Sequence, residues 1–233
     1  MRIERDYSLK QHNTFGIDAK CAQFVEYSSE TEAKEVAELL RTSRVPYIII
    51  GGGSNLLLTR DYEGTVVHSA CKGIRRDGDR LICGSGEVFD DVVAQSINVG
   101  LYGAENLSLI PGDVGASAVQ NIGAYVAEAK DLIRSIRAIE IETGNVCIIE
   151  NADCEYGYRQ SRFKKDWKNK YLILSVEYQF SEVFKPRLDY GNIRSELEKE
   201  GICDPTAQQL RETIIRIREA KLPDPKVLGN AGS

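Results

Sequence analysis

Three glycine-rich stretches and one basic, aromatic stretch carry the residue types best suited to hold a charged ligand. In "YIIIGGGSNLLL" a branched apolar run ends on Gly51, Gly52 and Gly53, followed by Ser54 and Asn55. Glycines after a buried strand let backbone N–H groups approach an anion closely, and the serine and asparagine add side-chain donors. A phosphate-binding P-loop would need a Lys-Ser/Thr pair here. A Rossmann fingerprint would need a third spaced glycine and a following helix. Neither is present, and "LLLT" reads as more strand than helix. "GSGEVF" (84–89) does lie between a strand and a helix, but it lacks the last glycine. A tight turn accounts for either stretch taken alone. The third stretch, "SLIPGDVGASAVQNIGAY" (108–125), has one charged side chain, Asp113. Its small residues, Pro111, Gly112, Gly115 and Ala116 among them, would let the backbone line a ligand. Ser117, Gln120 and Asn121 offer neutral hydrogen-bonding groups. That combination suits a large flat cofactor with a pyrophosphate better than a packed structural loop.

The basic stretch is "YGYRQSRFKK" (156–165). On residue type alone, Arg159, Arg162, Lys164 and Lys165 each read as a surface charge or a structural ion pair. The chain ends in "AKLPDPKVLGNAGS", where Pro223 and Pro225 introduce small residues as a functional loop is introduced, although a terminal Ser233 by itself reads as frayed. Lys221, before the prolines, complements a helix dipole or contacts a diphosphate. His12 and His68 are the only histidines, too few for a histidine-based metal site, and they read as structural or solvated. Six scattered cysteines without a C-x-x-C pair fit reduced core thiols in the cytosol, not disulfides or a zinc cage. No metal site is expected.

These residues need a scaffold, and the sequence outlines one. The chain has 233 residues, 42% hydrophobic and 28% charged, which is the balance of a soluble globular protein of one or two domains. A net charge of −5 gives no general pull toward nucleic acid or an anionic membrane. Apolar runs such as "YIII" are too short to span a bilayer, and the charged N-terminus lacks a signal-peptide core. "AQFVEY" is β-prone. "SETEAKEVAELLRTSR" reads as a helix, with Ser29 and Glu32 as a capping box and Ala33, Val36, Ala37 and Leu40 on one face. "VPYIII" completes a strand–helix–strand unit, the usual sign of a parallel crossover. Beyond it, "TVVHSA", "RLICGSG", "IRAIEIETG", "NVCIIE" and "YLILSVEYQF" read as strands of a more antiparallel unit, interrupted by one good helix, "VFDDVVAQSINVG". From about Asp189 the chain turns helical again, and Asp204-Pro205 starts a final helix that Pro223 and Pro225 stop. The expected class is α+β, with a βαβ-type unit over 1–67, a larger α+β unit over 68–218 and a new element beginning at 219–233.

Taken in order, "NTFGI" (13–17), the glycine loops, "YGYRQSRFK" and "KLPDPKVLGNAGS" resemble the UDP-N-acetylenolpyruvoylglucosamine reductase family, over nearly the whole chain. "GGGSN" and "PGDVGAS" are similar to stretches shared more widely by FAD-binding domains of the vanillyl-alcohol-oxidase type. The resemblance implies that fold: two subdomains with non-covalent FAD between them, and a third, substrate domain largely missing from a chain that looks truncated. It also implies a bacterial cytoplasmic monomer, with no nucleic acid or membrane partner, that acts in peptidoglycan synthesis. Its reaction would reduce UDP-N-acetylglucosamine enolpyruvate to UDP-N-acetylmuramate, with NADPH as hydride donor. Arg159 matches the family arginine that bears on the substrate carboxylate. Ser233 matches the proton donor, and a late glutamate of the family has no counterpart in the chain. Tyr125, Tyr190, Lys221 and Asn230 would contact substrate, and the truncated chain would be inactive. Two readings compete with this one: an FAD-dependent oxidase of the same fold, and a non-catalytic flavin-binding module.

Overall fold

The computed structural model describes residues 1–224 and 227–230. Two sheets organise the chain. The first has the order β1 (Arg2–Ser8), β2 (Lys20–Tyr27), β4 (Tyr62–Ser69), β3 (Tyr47–Ile50). β2 and β3 both run parallel to β4, which lies between them, and β1 adds antiparallel at the edge of β2. The strand–helix–strand unit is therefore present, but its crossover skips one strand. "TVVHSA" belongs to β4, which pairs parallel with both its neighbours inside this mixed sheet, not to the antiparallel unit, and β4 carries the first sheet past residue 67 to Ser69. The charged β1 has no apolar signature because it is an edge strand, exposed along most of its length. "LLLT" forms no strand; residues 56–59 are irregular.

The second sheet is wholly antiparallel, in the order β10 (Val146–Glu150), β9 (Ile133–Glu140), β11 (Tyr171–Gln179), β6 (Arg80–Gly84), β5 (Ile74–Asp77). Helix α1 (Glu30–Thr42) lies between the sheets. Its apolar stripe, Ala33, Val36, Ala37 and Leu40, meets Val25 and Val67 of the first sheet and Ile139, Leu172 and Leu174 of the second. Burying a Val or Leu in such a layer stabilises by about 1.5–3 kcal/mol per side chain, so this helix cements the two sheets together. The N-cap at Ser29 is real, its side chain accepting from Glu32 N at 3.2 Å. The reciprocal half of the capping box is not: the Glu32 carboxylate accepts from Ser28 N at 2.7 Å and Ser28 Oγ at 2.8 Å.

On the other face of the second sheet sit α2 (Phe89–Asn98) and α3 (Val114–Gln120), packing Phe89, Val93, Val114 and Ala118 onto Leu81, Ile136, Val176 and Tyr178. α3 is a correction. The stretch 108–125 is not one open loop, because Val114 to Gln120 close into two helical turns between the flanking glycines. A Cβ on Gly115 would meet Ser85 Cβ at 3.1 Å, so small residues there also serve close packing of α3 on β6.

A short ribbon, β7 (Gly123–Ala124) with β8 (Ala127–Glu128), follows. The chain ends in α4 (Ile193–Lys199) and α5 (Ala207–Lys221), which pack Ile193, Leu197, Leu210 and Ile214 together. α5 starts at a Thr206–Gln209 capping box one residue after Pro205, and it runs through residue 219, so the boundary expected there falls inside a helix. Pro225 lies outside the described residues. All six cysteines are free thiols, five of them buried or half-buried. Among the described residues no helix is long and apolar enough to cross a membrane, and no acidic, cysteine or histidine cluster could hold a metal.

Candidate functional site

Where the first sheet faces the second, the chain leaves a cleft of two adjoining chambers. The first, of about 380 Å³, runs from Gly51–Leu56 past Ser85 and Gly115 to Trp167, Asn169 and Ile173. The second, of about 570 Å³, is lined by 110–113, 120–128, Tyr158, Arg159, Tyr190, Arg218 and Lys221. Ser54, Asn55, Asp113, Ala116 and Gln120 line both. At their junction Asn55 Nδ2 donates to Gln120 Oε1 at 2.8 Å. The cleft is of ligand-binding size.

The glycine loop is built by close approach. Its loop-mate is 111–116: a Cβ on Gly51 would stand 2.8 Å from Ala116 Cβ, and one on Gly52 would stand 3.3 Å from Gly112 Cα. Gly53 has φ +68, and a Cβ there would lie 1.9 Å from the His12 carbonyl oxygen, so no other residue fits. The N–H groups of residues 52–55 have no protein acceptor among the described residues. Four successive N–H groups without a partner, bordering a cavity, form a concavity suited to an anion. A dinucleotide such as FAD fits this donor set: glycine-walled, N–H-lined in the first chamber, and continuous with the second.

Asp113, at the N-cap of α3, makes no capping bond. Its carboxylate faces His68, with Oδ2 3.4 Å from Nε2, while His68 Nδ1 lies 2.9 Å from Glu26 Oε2. Burial alone would lower the His68 pKa, but its bonds to Asp113 and Glu26 outweigh that and raise it above 6.5. His12, with its ring centroid 5.0 Å from that of His68, moves the other way: burial, then the like charge of His68, lower it. His68 thus ties β4 to the start of α3, while His12 packs on the His68 ring and bonds Tyr7 Oη at 3.1 Å.

Arg159 lines the second chamber from the tip of a turn closed by Gly157 N to Gln160 O (3.0 Å) and Gln160 N to Gly157 O (3.1 Å). Tyr125 (φ +47) and Tyr190 meet edge to face there, with centroids 6.1 Å apart, and Lys221 closes the rim. Arg218, which no motif marks, faces the same space and is 8% exposed. Its Nε donates to Leu109 O at 3.2 Å, and burial together with the neighbouring Arg159 charge lowers its pKa. The i, i+3 spacing of Arg218 and Lys221 on one helix is the signal that could have found it.

Three of the expected site residues are otherwise engaged. Ser117 is buried and its hydroxyl bonds Val114 O (2.7 Å) and Tyr178 Oη (2.6 Å). Asn121, left-handed at φ +46, spends its side chain on Gly157 O, Glu128 and Lys130 N, which makes it a scaffold for the Arg159 turn. Asn230 lines neither chamber. Its backbone N–H and carbonyl pair with the Thr14 carbonyl and hydroxyl (3.1 and 2.6 Å), and its amide donates to Pro223 O and Leu228 O. Ser233 lies outside the described residues.

Comparison with known proteins bears on this geometry. Residues 21–150 match the FAD binding domain family. A UDP-N-acetylenolpyruvoylglucosamine reductase of Bacteroides fragilis is 48% identical over 99% of this chain and 70% of its own length. One of Neisseria gonorrhoeae is 44% identical over 97% and 67%, and one of Pseudomonas aeruginosa is 43% identical over 100% and 70%. The crystal structure of UDP-N-acetylenolpyruvylglucosamine reductase (MurB) from Thermus caldophilus superposes with TM-score 0.71 at 22% identity, over 97% of this chain and 72% of that one. 6-Hydroxy-D-nicotine oxidase from Arthrobacter nicotinovorans superposes with TM-score 0.57 at 16% identity, over 77% and 42%, which makes the fold the FAD-binding fold of the vanillyl-alcohol-oxidase type. A glycine-walled cleft on that fold, with a cationic chamber at one end and this level of identity along nearly the whole chain, places the protein in the UDP-N-acetylenolpyruvoylglucosamine reductase family.

Proposed function

We propose that the protein is a flavoenzyme that reduces UDP-N-acetylglucosamine enolpyruvate to UDP-N-acetylmuramate, using NADPH, in peptidoglycan synthesis. The observation that carries the reading is the division of the cleft: an N–H-lined glycine cradle on one side of the Asn55–Gln120 bridge, and Arg159, Arg218 and Lys221 on the other.

Non-covalent FAD, when bound, supplies a carrier that takes hydride from NADPH and passes it to the substrate. The backbone N–H groups of residues 52–55 would hold its pyrophosphate, with 111–116 as the facing wall, where the Val114 and Gly115 N–H groups are already bonded to Glu87 O and Ser85 O. In the second chamber the problem is electronic. The terminal carbon of an enol ether accepts hydride only if the attached carboxylate can absorb the growing negative charge. A guanidinium offers two parallel donors and a permanent charge to a carboxylate, which is the role proposed for Arg159. Arg218 adds a second cation to the same wall, and the crowding of two guanidiniums favours an anion between them. Lys221 and Tyr190, on the rim, are proposed to meet the diphosphate and the uridine end, and Tyr125 the sugar or the flavin. Ser233 is proposed as the proton donor to the adjacent carbon. The substrate's three charged groups match the cationic lining.

The purified protein should be yellow, with a flavin absorbance spectrum, and in a chain of the relatives' full length NADPH oxidation should rise on adding the enolpyruvyl sugar. A colourless protein, or NADPH oxidation indifferent to the sugar, would overturn the reading.

A further inference from the structure

We infer that Lys164 is a positioning residue for Arg159, holding its backbone so that the guanidinium stays in the second chamber. The inference rests on the proposed role of Arg159.

Arg159 has φ +54, a left-handed conformation that side-chain-bearing residues adopt only at an energetic cost. Such a conformation persists only where the surroundings hold it. The ends of its turn are fixed on α3: Asn121 Nδ2 donates to Gly157 O at 2.8 Å, and Ser161 Oγ to Val119 O at 2.5 Å. Neither bond touches the peptide of Arg159 itself. Lys164 does. From the 3-10 turn Arg162–Lys164 its ammonium reaches back five residues and donates to Arg159 O at 2.8 Å. The direction of that carbonyl is set by the dihedrals of Arg159, so the bond favours the strained conformer over its relaxed alternatives. Its donor is charged, and charge-assisted bonds are about twice as strong as neutral ones.

The neighbouring cations do not share the task. Arg162 is bound to Asp166 and lies over the Trp167 ring, 4.0 Å from its centroid. Lys165 is exposed. Lys164 lines the first chamber and Arg159 the second, so the ammonium stands in the wall between them, and its effect on a carboxylate in the second chamber passes through Arg159.

The test is calorimetric titration of the flavin-loaded protein with UDP-N-acetylglucosamine enolpyruvate and, separately, with UDP-N-acetylglucosamine, which lacks the carboxylate. Lys164→Met should weaken the first about tenfold and leave the second unchanged. In an Arg159→Ala background, Lys164→Met should add nothing, because it acts through the missing side chain. If Lys164→Met is unstable, Lys164→Gln, which keeps a neutral donor, should show the same preference at smaller size. Equal weakening of both ligands, loss of bound flavin with the ligand preference intact, or additivity with Arg159→Ala would each overturn the inference. If Arg159→Ala itself fails to discriminate the two ligands, the role of Arg159 fails, and the inference with it. If Arg159→Ala discriminates and Lys164→Met does not, the inference alone falls.

Discussion

Gly53 and Gly78 both have left-handed backbones, yet they should respond differently to a methyl group. At Gly78, in the β5–β6 turn, an added Cβ meets nothing within 4 Å, so only the conformational cost of about 1 kcal/mol applies. At Gly53 the same Cβ runs into the His12 carbonyl at 1.9 Å, and backbone must move. Gly53→Ala should cost about 2–4 kcal/mol and Gly78→Ala about 1, read as melting-temperature losses of roughly 5–15 and 2–4 °C. Similar losses would mean that the glycine loop is not tightly seated on residue 12. At this scale the sequence was partly legible. The glycine triplet pointed to the cradle, and the motif around Arg159 pointed to the second chamber. Ser117 and Asn121 looked like cofactor donors because residue type does not reveal where a hydroxyl or amide turns; here they turn to Tyr178 and Gly157. Arg218 and the Lys164–Arg159 bond depend on which side of a helix or turn faces the cleft, which composition does not encode.

Helix α5 is anchored by a part-buried ion pair. Arg211 gives Asp90 of α2 two bonds, of 2.6 and 2.8 Å, and Asp90 also accepts from Leu109 N in the strained entry to the third glycine stretch. Removing one partner of such a pair strands the other, so Arg211→Met or Asp90→Ala should each cost about 3 kcal/mol, while the double variant should lose much less than the sum. Denaturant titration of the three variants checks this, and simple additivity would contradict it. The His68 contact between β4 and α3 adds a pH dependence. A folded pKa raised above the unfolded value contributes stability that is full below about pH 6.5 and lost as pH rises through the folded value. The melting-temperature advantage of the wild type over His68→Gln should therefore shrink between about pH 6 and pH 9. A constant difference would mean that the ion pair does not form. His12, lowered instead, works with the opposite sign. Periodicity revealed α1, α2 and α5 well. It missed β1, whose exposed edge needs no apolar residues, and α3, whose small residues carry no amphipathic stripe. It also misplaced β4, because a buried central strand looks alike in parallel and antiparallel sheets.

Across the whole molecule, α1 locks the two sheets at a fixed separation, and the cleft between them is what remains. The glycine loop hangs from the first sheet, while the Arg159 turn is carried by α3 against the second, so the two halves of the proposed reaction rely on different walls. The β-strand content and the order of the motifs foretold an α+β flavin-binding fold. The crossover that inserts β4 between β2 and β3 did not appear in the sequence, since strand order is set by packing between distant segments. The division of the cleft is tested most directly by rapid-mixing measurements on Arg159→Ala in a chain of the relatives' full length, following flavin reduction by NADPH and reoxidation by UDP-N-acetylglucosamine enolpyruvate separately. Flavin reduction should stay within about twofold of the wild type, and reoxidation by the enolpyruvyl sugar should fall on the order of a hundredfold or more, because only that half develops charge on the carboxylate. Equal damage to both halves, or none to the second, would contradict the account.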